Sequence, residues 1–268
     1  MRICILANGA AMLEVKNITA GYGKRPIIKN ISFTVADGEI ACILGQNGSG
    51  KTTLLKAISK IMSASAGEVY ISGESILEKP RKEIAQRLCV MSGLSSGYFS
   101  YTVFQTVLLS RYAHREKKFL TDVFSTADKQ LVDEVLDKLK IAHLRNRFLT
   151  ELSSGQLQKV FLARAIAQET SVLLLDEPTS HLDLKAQLEI CTELQQITGE
   201  KNLSVLAVVH DINLALNFAD RILLLKDGIL VENAKRENFN LCTLNDIYET
   251  DVLTFMRNSL TRWQLHKS

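Results

Sequence analysis

Apolar and polar positions alternate at Ile31, Phe33 and Val35, which predicts a half-buried strand ending in the turn Asp37-Gly38. The run IACIL at 40–44 has no polar interruption and predicts a fully buried strand. Helical spacing follows in LLKAISKIM at 54–62, and VYI at 69–71 reads as another strand. VLLLD at 172–176 and LAVVH at 206–210 are continuous apolar runs, as expected of a parallel sheet covered on both faces. Between them Leu184, Leu188, Cys191 and Leu194 recur at helical spacing. RILLLKDGILVEN at 221–233 reads as two strands around an Asp-Gly turn. The alternation of strands and helices predicts an α/β architecture.

The middle of the chain differs. From about 102 to 150 the pattern is helical, with one apolar stripe through Leu131, Val132, Val135, Leu136 and Leu139. This predicts a helical subdomain, about 93–156, inserted into an α/β core of 13–92 and 157–252, with an extension at 1–12 and a tail at 253–268. Just before the insertion, LCVM at 88–91 reads as a strand end opening into a loop of Ser and Gly.

Composition narrows the possibilities without deciding them. The chain has 268 residues, 46% hydrophobic and 23% charged, enough for one large domain or one with an insertion. Its net charge of +3 is too small to argue for nucleic acid or an anionic membrane surface. A local cluster of Arg111, His114, Arg115, Lys117 and Lys118 reads as a solvated helix end or, alternatively, a docking patch. Five dispersed cysteines form no CxxC pair, which argues against a metal site or disulfide framework and fits a reducing cytosol. No apolar run reaches the roughly 18 residues that span a bilayer. The N-terminal apolar stretch is too short for a signal peptide, and either Met1 or Met12 could begin the working protein.

The chemistry enters with GQNGSGKT at 45–52, which follows a buried strand, precedes a helix and fits GxxxxGK[ST]. Gly45, Gly48 and Gly50 let the backbone turn tightly, so that successive N–H groups and a helix N-terminus cradle phosphate. Lys51 supplies a point charge to the terminal phosphates and Thr52 a hydroxyl to Mg²⁺. Asp176 ends a buried strand, where a charge needs compensation, and a metal on the phosphates would provide it. Glu177 suits a base or orienter for attacking water. Taken alone, the Asp-Glu pair could instead cap a helix before Pro178.

LSSGQ at 152–156, SHLD at 180–183 and His210 complete a set. In this order, with GQNGSGKT and VLLLDEP, the chain from about 13 to 252 resembles the ATP-binding subunit of an ABC transporter. The resemblance implies a P-loop NTPase core with a mostly parallel sheet, an antiparallel β portion and an inserted α-helical subdomain. It implies ATP and Mg²⁺ as cofactors. Tyr22 matches the aromatic that stacks on adenine. Gly45, Gln46, Asn47, Gly48, Ser49, Gly50, Lys51, Thr52 and Thr53 match the Walker A loop. Asp176 matches the Mg²⁺-linked aspartate, Glu177 the catalytic glutamate and His210 the switch histidine. Ser153, Ser154, Gly155 and Gln156 match the signature, with Ser154 where a second glycine is usual, and Asp183 matches the D-loop aspartate.

The resemblance also implies partners: a second copy in an ATP-sandwich dimer, a polytopic membrane permease and, indirectly, a substrate-binding protein, but no nucleic acid. The location would be peripheral, on the cytoplasmic face of the membrane. The segment 208–233 followed by LNDIYETDV at 244–252 resembles subunits for iron–siderophore, haem or vitamin B12 uptake. One departure is Gly93, where the family carries its Q-loop glutamine. A register shift in the loop is the other explanation, since Gln105 lies too far along, inside the next helix pattern. Two other readings stay open: a soluble ABC ATPase for iron–sulfur cluster assembly or a repair complex, and an ATP-dependent regulator or degenerate binding module.

Overall fold

The computed structural model describes residues 11–23, 25–92, 100–115 and 124–265. The Gly93 position, residues 1–10, Lys117 and Lys118 lie outside the described residues.

In chain order the elements begin with β1 (Ala11–Tyr22), β2 (Arg25–Ala36), β3 (Ile40–Leu44), α1 (Lys51–Ile58), β4 (Ala64–Ile71), β5 (Glu74–Ser75), α2 (Arg81–Ala85) and β6 (Leu88–Met91). The helical stretch holds α3 (Val103–Leu108), a 3₁₀ segment at Leu109–His114, α4 (Thr126–Lys138) and α5 (Ser154–Ala167). Then come β7 (Val172–Asp176), α6 (Leu184–Lys201), β8 (Ser204–Val208), α7 (Ile212–Phe218), β9 (Arg221–Lys226), β10 (Ile229–Lys235), α8 (Cys242–Tyr248) and α9 (Val252–Leu265).

Two sheets form. One is antiparallel, in the order β2-β1-β4-β5. The other runs β10-β9-β3-β8-β7-β6, parallel throughout except for β10 on β9. Successive side chains on a strand face opposite sides, and the cores divide on that rule. Ala41 and Ile43 of β3, Leu174 of β7 and Leu206 of β8 pack with the antiparallel sheet and α1. Their neighbours Cys42, Leu44, Leu173, Leu175, Val205 and Ala207 pack with the helices on the other face. That is why these strands lack polar interruptions: each has two apolar faces to cover.

The helices begin where side chains satisfy their first N–H groups. Thr102 with Gln105, Ser125 with Asp128, and Ser153 with Gln156 form reciprocal capping boxes. Gln105 is thereby occupied, its Oε1 accepting the Thr102 N–H at 2.9 Å. Of the predicted stripe, Val132, Val135, Leu136 and Leu139 are buried and Leu131 is partly buried against the same core. α5 runs unbroken across positions 156 and 157, packing against α3, α4 and β6.

Some expectations are corrected. α1 stops at Ile58, because the Ser59 hydroxyl turns back to the Leu55 carbonyl at 2.8 Å and Lys60 takes φ 57°. β8 ends at Val208, so His210 lies two residues beyond the strand. On α6 the buried stripe is Ile190, Cys191, Leu194 and Ile197, whereas Leu184 and Leu188 are 68% and 51% exposed. The first turn of α6 overhangs the core edge. Within the basic cluster, Arg111 is a structural tie, not a solvated or docking cation. It bonds Asp128 Oδ1, Glu169 Oε2 and the Ala167 carbonyl, each at 2.8 Å. His114 Nε2 meets the Gln168 carbonyl at 2.6 Å. Among the described residues no helix is long and apolar enough to cross a membrane.

Candidate active site

Gly45 follows β3, Asp176 ends β7, and His210 follows β8. These strands are neighbours in the order β3-β8-β7 and run parallel. Their C-terminal ends therefore deliver the three segments to one edge of the sheet, where α/β proteins bind ligands.

The loop between β3 and α1 is shaped by backbone. Gly48 and Gly50 have φ of 81° and 102°, a region that disfavours side chains. At Gly45 a Cβ would stand 2.2 Å from the Leu225 carbonyl oxygen, and at Gly50 2.7 Å from an Ile28 methyl. Only glycine fits these two positions. Gln46, Asn47 and Gly48 are exposed at the loop tip, Thr53 is buried, and Ser49 is buried with its hydroxyl unpartnered. Lys51 is only 6% exposed, and its Nζ donates to the carbonyls of Gly45 and Gln46, both at 2.8 Å. Burial pushes its pKa down, while Glu177 and Asp176 oppose that shift. A buried amino group inside a ring of backbone carbonyls, at the start of a helix, suits a phosphate.

Thr52 Oγ1 donates to Asp176 Oδ1 at 3.1 Å. Burial raises the Asp176 pKa, the Thr52 bond lowers it, and adjacent Glu177 raises it again, leaving it above the ordinary carboxylate value. A half-buried carboxylate beside a hydroxyl, in no ion pair among the described residues, fits a hard cation that prefers oxygen ligands. Glu177 lies just past the strand at φ 54°, its N–H bonded to the Val208 carbonyl at 3.2 Å. Its Oε1 is 2.6 Å from His210 Nε2. An ionised carboxylate only accepts, so the imidazole donates here. Strained backbone at such a position aims a side chain that the strand alone would not.

The remaining predicted residues form a second cluster. Ser153, Ser154, Gly155 and Gln156 line a recess of about 350 Å³ with Asp183 and Lys159. Ser153 caps α5, and Asp183 caps α6 by accepting the Ala186 N–H at 2.8 Å. This recess shares no lining residue with the phosphate loop. Tyr22 is exposed at the end of β1, opposite Arg25.

Sequence reasoning missed the supports. Gly228, in the turn between β9 and β10, donates its N–H to the Ser49 carbonyl at 3.0 Å, and its own carbonyl accepts the Lys29 N–H at 2.8 Å. The Asp-Gly turn was legible as a hairpin but not as a brace on a loop 180 residues away. Gln158, buried on α5, donates Nε2 to the Pro178 carbonyl and so joins the signature helix to the segment after Asp176. A glutamine in an apolar helix was its only signal.

Comparisons with known proteins place the chain in a family. Residues 28–180 match the ABC transporter family. An uncharacterised ABC transporter ATP-binding protein of Methanocaldococcus jannaschii is 38% identical over 90% of this chain and 92% of its own. The ferric enterobactin transport ATP-binding protein FepC of Escherichia coli is 32% identical over 91% and 89%. A solved dimer of an ATP-binding cassette, bound to ADP and Pi, superposes with a TM-score of 0.72 at 28% identity, covering 85% of this chain and all of that one. The chain belongs to the ABC transporter family, as one of its ATP-binding, ATP-hydrolysing subunits.

Proposed function

We propose that this chain powers a membrane importer for iron–siderophore, haem or cobalamin-type complexes, bound peripherally at the cytoplasmic face to a polytopic permease that a substrate-binding protein supplies. The observation that carries the reading is the convergence, on three adjacent strand ends, of the phosphate loop, the Thr52–Asp176 pair and the Glu177–His210 pair. The likeness to a ferric enterobactin transport subunit supports the substrate class.

In this reading the loop from Gly45 to Thr53 holds the ATP phosphates on its N–H groups, and Tyr22 stacks on adenine. Lys51 exchanges its carbonyl partners for terminal phosphate oxygens. Thr52 and Asp176 would hold Mg²⁺, which supplies positive charge to those oxygens when bound. Glu177 accepts a proton from the attacking water, and His210 fixes the rotamer of Glu177 by the Nε2–H bond. A second copy completes the site: Ser153, Ser154, Gly155 and Gln156, at the N-terminus of α5, face the ATP of the partner subunit, with Asp183 beside them. Two such sites form head to tail in an isologous dimer. The helices between 103 and 153 serve as the unit that meets the permease.

The test is co-purification of the full chain from detergent-solubilised host membranes, with and without Mg-ATP. A stoichiometric polytopic membrane protein supports the importer reading and its identity narrows the substrate. Recovery with soluble assembly partners alone overturns it.

A further inference from the structure

Glu177 carries a side chain at φ 54°. Such a backbone persists only where its surroundings over-determine it. On the side of β7 the Glu177 N–H is held by the Val208 carbonyl at 3.2 Å. Beyond it, three successive carbonyls each accept a side-chain donor. The Glu177 carbonyl takes the Ser180 hydroxyl at 3.0 Å, the Pro178 carbonyl takes Gln158 Nε2, and the Thr179 carbonyl takes Gln187 Nε2 at 3.3 Å. Ser180 belongs to the segment itself. Gln158 comes from α5 and Gln187 from α6, so the segment hangs between two helices.

Those helices are fixed to each other beside the segment. Lys159, next to Gln158, pairs with Glu189 and Glu193 of α6, each at 2.9 Å. Gly155 lies so close to α6 that a Cβ there would meet the Ala186 Cβ at 3.5 Å. The two glutamines are not equivalent. Gln158 is 3% exposed, so water does not compete for its bond. Gln187 is only partly buried and its bond is longer. The Glu177 carboxylate is thus fixed at its tip by His210 and at its root by the carbonyls that these side chains hold.

We propose that Gln158 is a positioning residue for Glu177, and that Gln187 plays the same part more weakly. The inference rests on reading Glu177 as the group that accepts a proton from the attacking water. Without the Gln158 amide the Pro178 carbonyl is free to turn, the strained backbone of Glu177 relaxes, and the carboxylate loses its aim. A catalytic group displaced by about 1 Å can cost about 100-fold in rate. The phosphate loop between β3 and α1 shares none of these bonds, so ATP binding is left alone.

The experiment is single-turnover and steady-state ATP hydrolysis by the full chain, beside binding of a fluorescent ATP analogue. Gln158→Met keeps the length and bulk of the side chain and removes the donor. Its expected effect is a kcat lowered about tenfold, with KM for ATP and analogue Kd within about twofold. Gln187→Met is expected to lower kcat about threefold. A loosened fold would also slow the enzyme, so the deciding readout is coupling. In a Glu177→Gln background no base remains to be aimed, and Gln158→Met should change the residual rate by less than about twofold. A parental kcat for Gln158→Met overturns the inference. So does a raised KM at unchanged kcat, or a tenfold loss that persists in the Glu177→Gln background. If Gln158→Met does not fold, Gln187→Met decides by the same cycle, and a parental kcat there overturns it. Glu177→Gln alone separates the two readings. If that variant hydrolyses ATP like the parent, the reading of Glu177 as the base falls as well. If it is inactive while Gln158→Met is parental, only the role of Gln158 falls.

Discussion

The phosphate-loop end and the helical layer of this molecule are built from different materials. Around Gly45–Lys51 the structure rests on backbone: glycines at positive φ, carbonyls facing a lysine, and a turn wedged behind the loop. The layer of α3, α4 and the 3₁₀ segment between them rests on side chains instead: capping boxes, the Arg111 hub, and Arg145 on Asp133 at 2.7 Å. A site made of backbone tolerates almost no substitution at its glycines. A layer made of caps and ion pairs can reach the same fold with many sequences. Function should therefore break sharply at the first region and stability gradually at the second.

The largest effect expected is at the nucleotide. Lys51→Ala should lower ATP hydrolysis at least about 100-fold by removing charge stabilisation of the transferring phosphoryl group. Glu177→Gln should cost a similar factor while retaining ATP binding. Phosphate release and nucleotide titration, run side by side, check both. Equal loss of binding in the two variants would contradict the separate roles.

Next comes Gly228→Ala. A Cβ there would stand 1.8 Å from the Ile27 carbonyl oxygen, at φ 77°. It should destabilise the chain by about 3 kcal/mol, beyond the strain of φ alone, and weaken ATP binding through Ser49. Urea unfolding with and without ATP measures both. A stable variant with normal binding would mean the turn is not a brace.

Arg111→Ala tests the other region. It takes the Arg111 donor from Asp128 Oδ1, Glu169 Oε2 and the Ala167 carbonyl, at a cost of about 2–3 kcal/mol. The KM for ATP should stay within about twofold. A large KM change would show that the two regions are not built independently.

The smallest effect has a pH signature. Burial raises the Asp128 pKa, but the Arg111 and Ser125 bonds outweigh it, so the folded value lies below that of an unfolded aspartate. Such a group adds stability above its unfolded pKa and loses it as pH falls through the folded value. Asp128→Asn should therefore cost about 1 kcal/mol at neutral pH, and nothing once the parent carboxylate is itself protonated. Denaturant midpoints across pH 2–7 measure it. A pH-independent cost would assign the loss to the cap alone.

The same contrast explains what could be read in advance. The strands were legible because each is covered on two faces, as in IACIL and VLLLD. The turn after β3 was legible as glycine-dependent because its glycines admit few alternatives. Leu184 and Leu188 misled because helical periodicity says which residues share a face, not how far the core extends beneath it. Arg111 read as surface charge because its partners, Asp128 and Glu169, lie 17 and 58 residues away. Gly228 and Gln158 act only through contacts across the fold, for which the local pattern carries no mark.

α5 joins the two kinds of construction in a single rod. Its first turn lines the signature recess, its Gln158 holds the segment after Asp176, and its last turn offers the Ala167 and Gln168 carbonyls to Arg111 and His114. Fourteen residues of α-helix are about 21 Å long. A tilt of about 5° about Gln158, about 14 Å from the last turn, displaces that turn by about 1 Å, more than the slack in a hydrogen bond. The helix is thus a lever, with its fulcrum at a buried glutamine and its load at an arginine, and a push at either end must be felt at the other.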